Sequence, residues 1–593
     1  MNRQERCSKV SRRTLLAGGA AALATGPAWG GEPAKGGDPD FGPNVLLIDP
    51  SIPPSVTQAR IDAIFRAQER AHFTDARYAI LFKPGRYAVD VNVGFFTQVA
   101  GLGREPGDVV IDGHVHAEAD WAKGMALVNF WRGAENLAIR PPDRQDRWAV
   151  SQAAPYRRID LQGDLALDDG GWSSGGFLAD CRVDGTIRSG TQQQWFSRNA
   201  AIGGWEGANW NMMFMGVAGA PRSSFPEPPY TTLPDVPLIR EKPFLCVGAG
   251  GEWQVQVPPL RRAASGPSWP AQKAGRTIPL SHFLIARPEM TAATLNRALA
   301  AGRHLLFTPG IYRLREPIRV TRPGTVLLGL GLATLLTAAG SKAITVADVP
   351  GVTIAGLLID AGPQMSPVLV EIGPRGASRS HADDPTLLAD LFFRIGGATI
   401  GNVETALEIN SHDVIGDHLW IWRADHGDRE AGRVHVGWDE SIGNQGLVVN
   451  GDDVTMYGLF VEHFRRYQTY WTGERGRTFF YQNELPYDPP SQAGWMAGKT
   501  RGWAAYKVAD SVTRHEAVGM GIYANLTADP SIVLESAVEV PKRPGVRVAN
   551  VTTISLGGGK GTIAHLVNEA GAAARPGAIR QTLTRYPPDA GDH

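Results

Sequence analysis

Two short apolar runs in the second half of the chain end in glutamate: GLFVE at 458–462 and FYQNE at 480–484. Three similar runs precede them, GLLID (356–360), DLFFR (390–394) and HLWIW (418–422). Aligned on their apolar positions, the five runs put Leu357, Leu391, Leu419, Leu459 and Tyr481 in one column. Three places on, a second column reads Asp360, Arg394, Trp422, Glu462 and Glu484. The column after it adds Arg423 and His463, and Asp425 and His426 follow. If successive runs stack as neighbouring strands, equivalent residues lie about 4.8 Å apart. Glu462 and Glu484 are then close enough for like charge to raise one carboxyl pKa, which suits a general acid beside an ionised partner. Trp422 offers a flat apolar face one coil away, of the kind on which a sugar ring stacks. Core columns are aliphatic, so this column belongs on the exterior, either as a solvated face with ordinary ion pairs or as the lining of a groove. The paired acids, the tryptophan and the basic neighbours favour a sugar-binding groove.

The elements that must carry these residues recur along the chain. Most runs of the second half are followed by another strand, such as VLVEI (368–372), ALEIN (406–410) and GLVVN (446–450). In the first half NLAIRP (136–141), RIDLQG (158–163) and ADCRVDG (179–185) return at intervals of about 22 residues. Short strands at coil-like intervals, without long helices between them, indicate a stacked solenoid, here an all-β, right-handed parallel β-helix. The solenoid occurs twice. ILFKPGRY at 80–87 matches LLFTPGIY at 305–312, VAGLG at 99–103 matches LLGLG at 327–331, and a helical pattern precedes each (59–71 and 291–302). The expected organisation is an export signal at 1–30, an N-terminal lobe at 31–270, a C-terminal lobe at 278–575 and a tail at 576–593. The polar, Pro/Gly-bearing stretch 262–280 marks the boundary between lobes.

Composition narrows the function. Lysine plus arginine and aspartate plus glutamate both number 59, so the chain has no net charge to draw it to nucleic acid or an anionic membrane. SRRTLL at 11–16, a short mild apolar run and Ala28-Trp29-Gly30 read as a removable twin-arginine signal, which predicts a secreted or periplasmic protein without stable membrane insertion. Cys181 and Cys246 are expected as buried free thiols, because such a substrate folds before export in a reducing compartment. No metal and no cofactor are expected. His114, His116 and Glu118 alternate on one strand face, and His412, Asp413, Asp417 and His418 cluster near another, but a polar strand face and turn-forming aspartates account for them more simply. The Asp439-Glu440 pair reads as a solvated loop, and no G-x-S-x-G elbow points to a serine hydrolase.

The stretch VEHFRRYQTYW…TFFYQNELPYDPP (461–490) resembles the segment carrying the catalytic glutamate of glycoside hydrolase family 55. The pieces that match are Val461-Glu462-His463, Tyr467-Gln468-Thr469-Tyr470 and Gln482-Asn483-Glu484-Leu485-Pro486-Tyr487. QNELPY stands here where the family usually has QTETPY. The resemblance implies two tandem β-helices and exo-acting, inverting hydrolysis of β-1,3-glucan, with Glu484 as general acid and Glu462 in support. Gln192-Gln193-Gln194-Trp195 of the first lobe is the candidate for holding the attacking water. The expected substrate contacts are Asp360, Arg394, Trp422, Arg423, Asp425, His463, Gln482, Tyr487, Gln193 and Gln194. The expected partner is an oligo- or polysaccharide, and a monomer suffices because each lobe neighbours the other. Two rivals stay open: a polysaccharide lyase, with Arg394 and Arg423 facing an acidic sugar, and a non-catalytic glycan-binding protein.

Overall fold

The computed structural model describes residues 37–269, 275–428, 432 and 434–588. The expected signal at 1–30 lies outside the described residues. Each half opens on a helix, α1 (Pro54–Gln68) and α2 (Ala292–Ala300). Ile61 and Ile64 bury one face of α1, and Leu295 and Leu299 one face of α2. The repeated Phe-x-Pro-Gly-x-Tyr element has the same structure in both halves. Phe82 meets the edge of Tyr87 at 4.9 Å and Phe307 that of Tyr312 at 5.2 Å, and each tyrosine hydroxyl donates to a carbonyl four residues back. Gly85 and Gly310 have φ of +155° and +151°, and a β-carbon on either would run into a proline, Pro50 or Pro288.

From each opening the chain climbs through parallel strands. The N-terminal path runs from Val45–Ile48 to Tyr230–Leu233. The C-terminal path runs from Phe283–Ala286 to Val546–Ser555, beside a second sheet from Ile318–Val320 to Thr562–Val567. The chain between the lobes departs from the expected boundary. Strands within 236–279 pair antiparallel in two small sheets instead of extending the first solenoid to 270. Part of the expected tail is ordered as well: Arg580–Tyr586 pairs antiparallel with Val546–Ser555 and closes the last coil. Cys181 and Cys246 are both buried and free.

Five C-terminal strands position the chemistry: β1 (Thr386–Ile395), β2 (Val414–Arg423), β3 (Thr455–Glu462), β4 (Gly476–Glu484) and β5 (His515–Ala524). Their register places Leu391, Leu419, Leu459 and Tyr481 side by side, and Arg394, Trp422 and Glu462 likewise. One residue in each strand is in the left-handed region at the same coil position: Asp390, His418, Gly458, Phe480 and Gly519. That residue shifts the in–out alternation by one place. Leu391, Leu419 and Leu459 therefore face the interior, whereas Phe392, Trp420 and Phe460 face the other lobe. Buried apolar side chains fall into three main bodies, one inside each solenoid and one between them.

The acid-and-tryptophan column consequently is not an open outer face. β1 and β2 are buried along their whole length, because the N-terminal lobe covers their outward side chains. Charges trapped in this seam are paired across it. Arg157 takes both oxygens of Asp390 at 2.9 and 2.8 Å, and Arg198 takes Asp417 at 2.7 and 2.6 Å and Glu241 at 2.7 and 2.8 Å. His418 lies 2.8 Å from Asp390. Asp417 and His418 are thus members of this seam and not of a turn.

Candidate active site

Glu484 ends β4 beside Tyr523 of β5. His463 N–H donates to the Glu484 carbonyl at 2.8 Å, and Leu485 N–H donates to the Tyr523 carbonyl at 2.9 Å. The chain then turns through Pro486, Tyr487 and Asp488, and Arg423 fixes that turn. Its guanidinium takes both Asp488 oxygens at 3.0 and 2.8 Å and donates to the carbonyls of Gly437, Ser441 and His463. The turn brings the Tyr487 hydroxyl onto the Glu484 carboxylate. His463 lies edge-on to Tyr487 at 4.5 Å, with Nδ1 3.0 Å from the Leu485 carbonyl and Nε2 3.7 Å from Asp425. Asp425 also meets His426 Nδ1 at 2.9 Å.

Glu462, one coil back, is enclosed. Trp420 Nε1 donates to one oxygen at 2.8 Å and Gln152 Nε2 to the other at 2.9 Å. Gln152 belongs to the N-terminal lobe, and so do the next members. Gln194 accepts from the Tyr523 hydroxyl at 2.5 Å and donates to Ser174 Oγ at 2.9 Å. Gln152, Ser174 and Gln194 stand at the beginnings of successive coils whose strands are Pro155–Leu161, Gly176–Ala179 and Gln194–Arg198. Gly175, at φ +89°, lets Gln152 pass: a β-carbon there would lie 3.0 Å from the glutamine side chain. Strand beginnings of one lobe thus meet strand ends of the other, Gln152 on Glu462 and Gln194 on Tyr523.

The environment separates the acids. Burial raises the Glu484 carboxyl above its ordinary range, offset in part by His463 and by the Tyr487 hydrogen bond, while Asp425 adds to the rise. Glu462 is pushed well above its ordinary value, first by burial and then by the Glu484 charge. For Asp425 burial again acts upward and is the largest influence, but His426 and His463 together hold the carboxyl below the usual range. Neighbouring carboxyls are thus pushed in opposite directions, Glu462 and Glu484 upward and Asp425 downward.

Comparison with known proteins bears on this geometry directly. Residues 283–484 match the family model for the LAM55 pectate lyase-like domain. An exo-β-1,3-glucanase of Streptomyces sp. (strain SirexAA-E / ActE) is 48% identical over 549 residues, covering 92% of this chain and 89% of that protein. The chain belongs to glycoside hydrolase family 55.

It is accordingly a glycoside hydrolase built on the family's β-helical architecture. The solved structure of sacteLam55A from Streptomyces sp. SirexAA-E superposes with a TM-score of 0.90 at 47% identity, covering 93% of this chain and 99% of that one. A variant of that protein solved in complex with glucose matches equally well.

Within this family 55 chain, Glu462, Glu484, Asp425, His463, Gln482, Tyr487 and Gln194 come together, and Gln193 is the half-buried neighbour of Gln194. Gln482 lies in the Phe392–Trp420–Phe460 row, with its oxygen 3.3 Å from Gln152 Nε2. Four residues expected to touch substrate are instead buried and committed to protein partners. Asp360 and Arg394 are buried and bonded to each other at 2.9 and 2.7 Å. Trp422 is 1% exposed, stacked on Trp420 at 4.9 Å and packed against Phe130. Arg423 spends its donors on the turn already described. None of the four faces a groove: the first lobe roofs Asp360, Arg394 and Trp422, and the Asp488 turn occupies Arg423. The possible metal group on the N-terminal lobe is an ion-pair ladder: His114 lies 3.1 Å from Asp90, and His116 lies 3.0 Å from Asp90 and 3.2 Å from Glu118. Sequence reasoning missed Gln152, Ser174, Trp420 and Tyr523. Trp420 and Tyr523 were findable from the strand register; a lone glutamine and a serine in loops of the other lobe carry no local signal.

Proposed function

We propose that this protein hydrolyses β-1,3-glucan from a chain end, with Glu484 as the general acid of an inverting reaction. The observation that carries the reading is Glu484 itself: a carboxyl raised by burial, at the lobe junction, with Tyr487 on one oxygen. A protonated Glu484 gives its proton to the departing glycosidic oxygen while water attacks the anomeric carbon from the opposite face and releases its own proton to solvent. Glu462, held between the Trp420 and Gln152 donors, supports the acid from the next coil. Gln482, buried beside Glu462, directs its amide at that carboxyl and holds the floor of the site with Gln152. The name of the Streptomyces relative supports the linkage and the exo action. Incubation with a panel of glycans tests the proposal. Glucose or short products from laminarin, with no ultraviolet-absorbing unsaturated ends, is the expected outcome. Unsaturated products indicate a lyase, and binding without products a non-catalytic protein.

The same proposal includes export by the twin-arginine route, supported by SRRTLL and the Ala28-Trp29-Gly30 site. Replacing Arg12 and Arg13 by lysine should leave unprocessed protein in the cytoplasm, and normal processing of that variant refutes it.

A further inference from the structure

The chain leaving Glu462 runs from the junction onto the outer flank of the C-terminal solenoid and carries aromatic side chains with it. Arg465 lies 4.6 Å from the centre of the Trp438 ring. Two residues on, Tyr467 meets Trp503 edge-to-face at 4.8 Å and lies stacked with Tyr470 at 5.6 Å and 20°. Trp438, Tyr467, Tyr470 and Trp503 are all half-buried, so each keeps part of its ring in water. Tyr470 occupies an outward position of the second sheet between the buried Thr469 and Trp471. Its lateral partner is Lys507, and the partner of Lys507 is Glu539. Lys507 and Glu539 pair at 3.0 Å and line an open cavity of about 490 Å³ with Asp510, Ser536, His565 and Asn568. Tyr470, beside Lys507 in the sheet, joins the aromatic rings to this cavity.

Charged side chains alone would be an ordinary solvated face. The aromatic row is what changes the reading. A β-linked glucose ring carries its hydroxyls around the rim and C–H groups on its two faces, so it fits where flat rings stand beside mixed donors and acceptors. The carboxylates disfavour nucleic acid, and the polar lining disfavours an apolar ligand. We propose that this flank is a second, non-catalytic binding site for β-1,3-glucan, holding a stretch of the polymer away from the reacting end. The inference rests on the substrate class proposed above.

The test uses Tyr470→Ala and, separately, Tyr467→Ser, each checked for an unchanged thermal midpoint. Sedimentation with insoluble curdlan in a Glu484→Gln background measures binding without turnover, and laminaritriose hydrolysis with Glu484 intact measures the active site. Affinity for curdlan should fall about tenfold, while kcat/KM on laminaritriose stays within about twofold. Unchanged retention on curdlan overturns the second site. So does a parallel loss on laminaritriose, or retention by cellulose as strong as by curdlan. Failure of the unaltered protein to cleave laminaritriose counts against the activity instead, and leaves the curdlan result to be read by itself.

Discussion

The two lobes start from one design and end with different chemistry. Both open on a helix and the same Phe-x-Pro-Gly-x-Tyr turn, with glycines in matching conformations against matching prolines. At the junction, however, the N-terminal lobe offers the neutral side chains of Gln152, Ser174 and Gln194. The C-terminal lobe supplies the carboxyls of Glu462 and Glu484 and the imidazoles of His426 and His463. Within the C-terminal lobe a single column changes character along its length: a closed Asp360–Arg394 pair, then a buried Trp422, then Glu462 held by Trp420 and Gln152, and last the half-buried Glu484. The difference teaches that the solenoid repeat fixes position and the opposite lobe fixes use. Where the neighbouring lobe closes the column it becomes structure, and its half-buried end at Glu484 becomes the candidate site.

If that is right, breaking the seam should cost most in stability and least in chemistry. Asp417→Asn leaves Arg157 and Arg198 short of a buried counter-charge, a change that typically costs about 3–5 kcal/mol. Denaturant or thermal unfolding should show a large drop, and a joint Asp417→Leu, Arg198→Met exchange should recover part of it. A loss no larger than for an exposed pair would mean the lobes are held by apolar packing alone. Gln152→Ala sharpens the comparison from the N-terminal side. It removes a buried donor to Glu462, worth about 1–3 kcal/mol. The expected result is a kcat reduced by roughly tenfold or more with folding intact; an unchanged kcat would restrict the first lobe to scaffolding. His463→Asn is expected to have the smallest effect, and its sign is diagnostic. His463 lowers the pKa of Glu484, so its removal should let the acid keep its proton to higher pH and move the alkaline limb of the kcat/KM profile upward. A downward shift would contradict the assigned electrostatics.

Much of this was legible in the sequence because β-helix coils repeat their errors along with their rules. The left-handed residue falls at one place in each of the five strands, so aligning HLWIW with GLFVE and FYQNE gives the true register even though the bend goes unseen. Glu462, Glu484 and the duplicated openings could therefore be read from spacing. What could not be read is which columns the other lobe covers. Asp360, Arg394, Trp422 and Arg423 look like groove residues until Phe130, Trp131 and the Asp488 turn are laid against them. Gln152 is more than 300 residues from its partner Glu462, and nothing local marks it.

The central claim is that Glu484 delivers the proton to the leaving group, and a leaving-group comparison tests it most directly. Glu484→Gln keeps the shape and removes the proton. On laminaritriose, whose departing alkoxide needs that proton, turnover should fall by about 10²–10⁴-fold. On an aryl β-glucoside with an acidic phenol, which leaves without help, the loss should be no more than about tenfold. Near-full hydrolysis of laminaritriose by the variant, or equal losses on both substrates, would contradict the assignment and turn attention to Asp425.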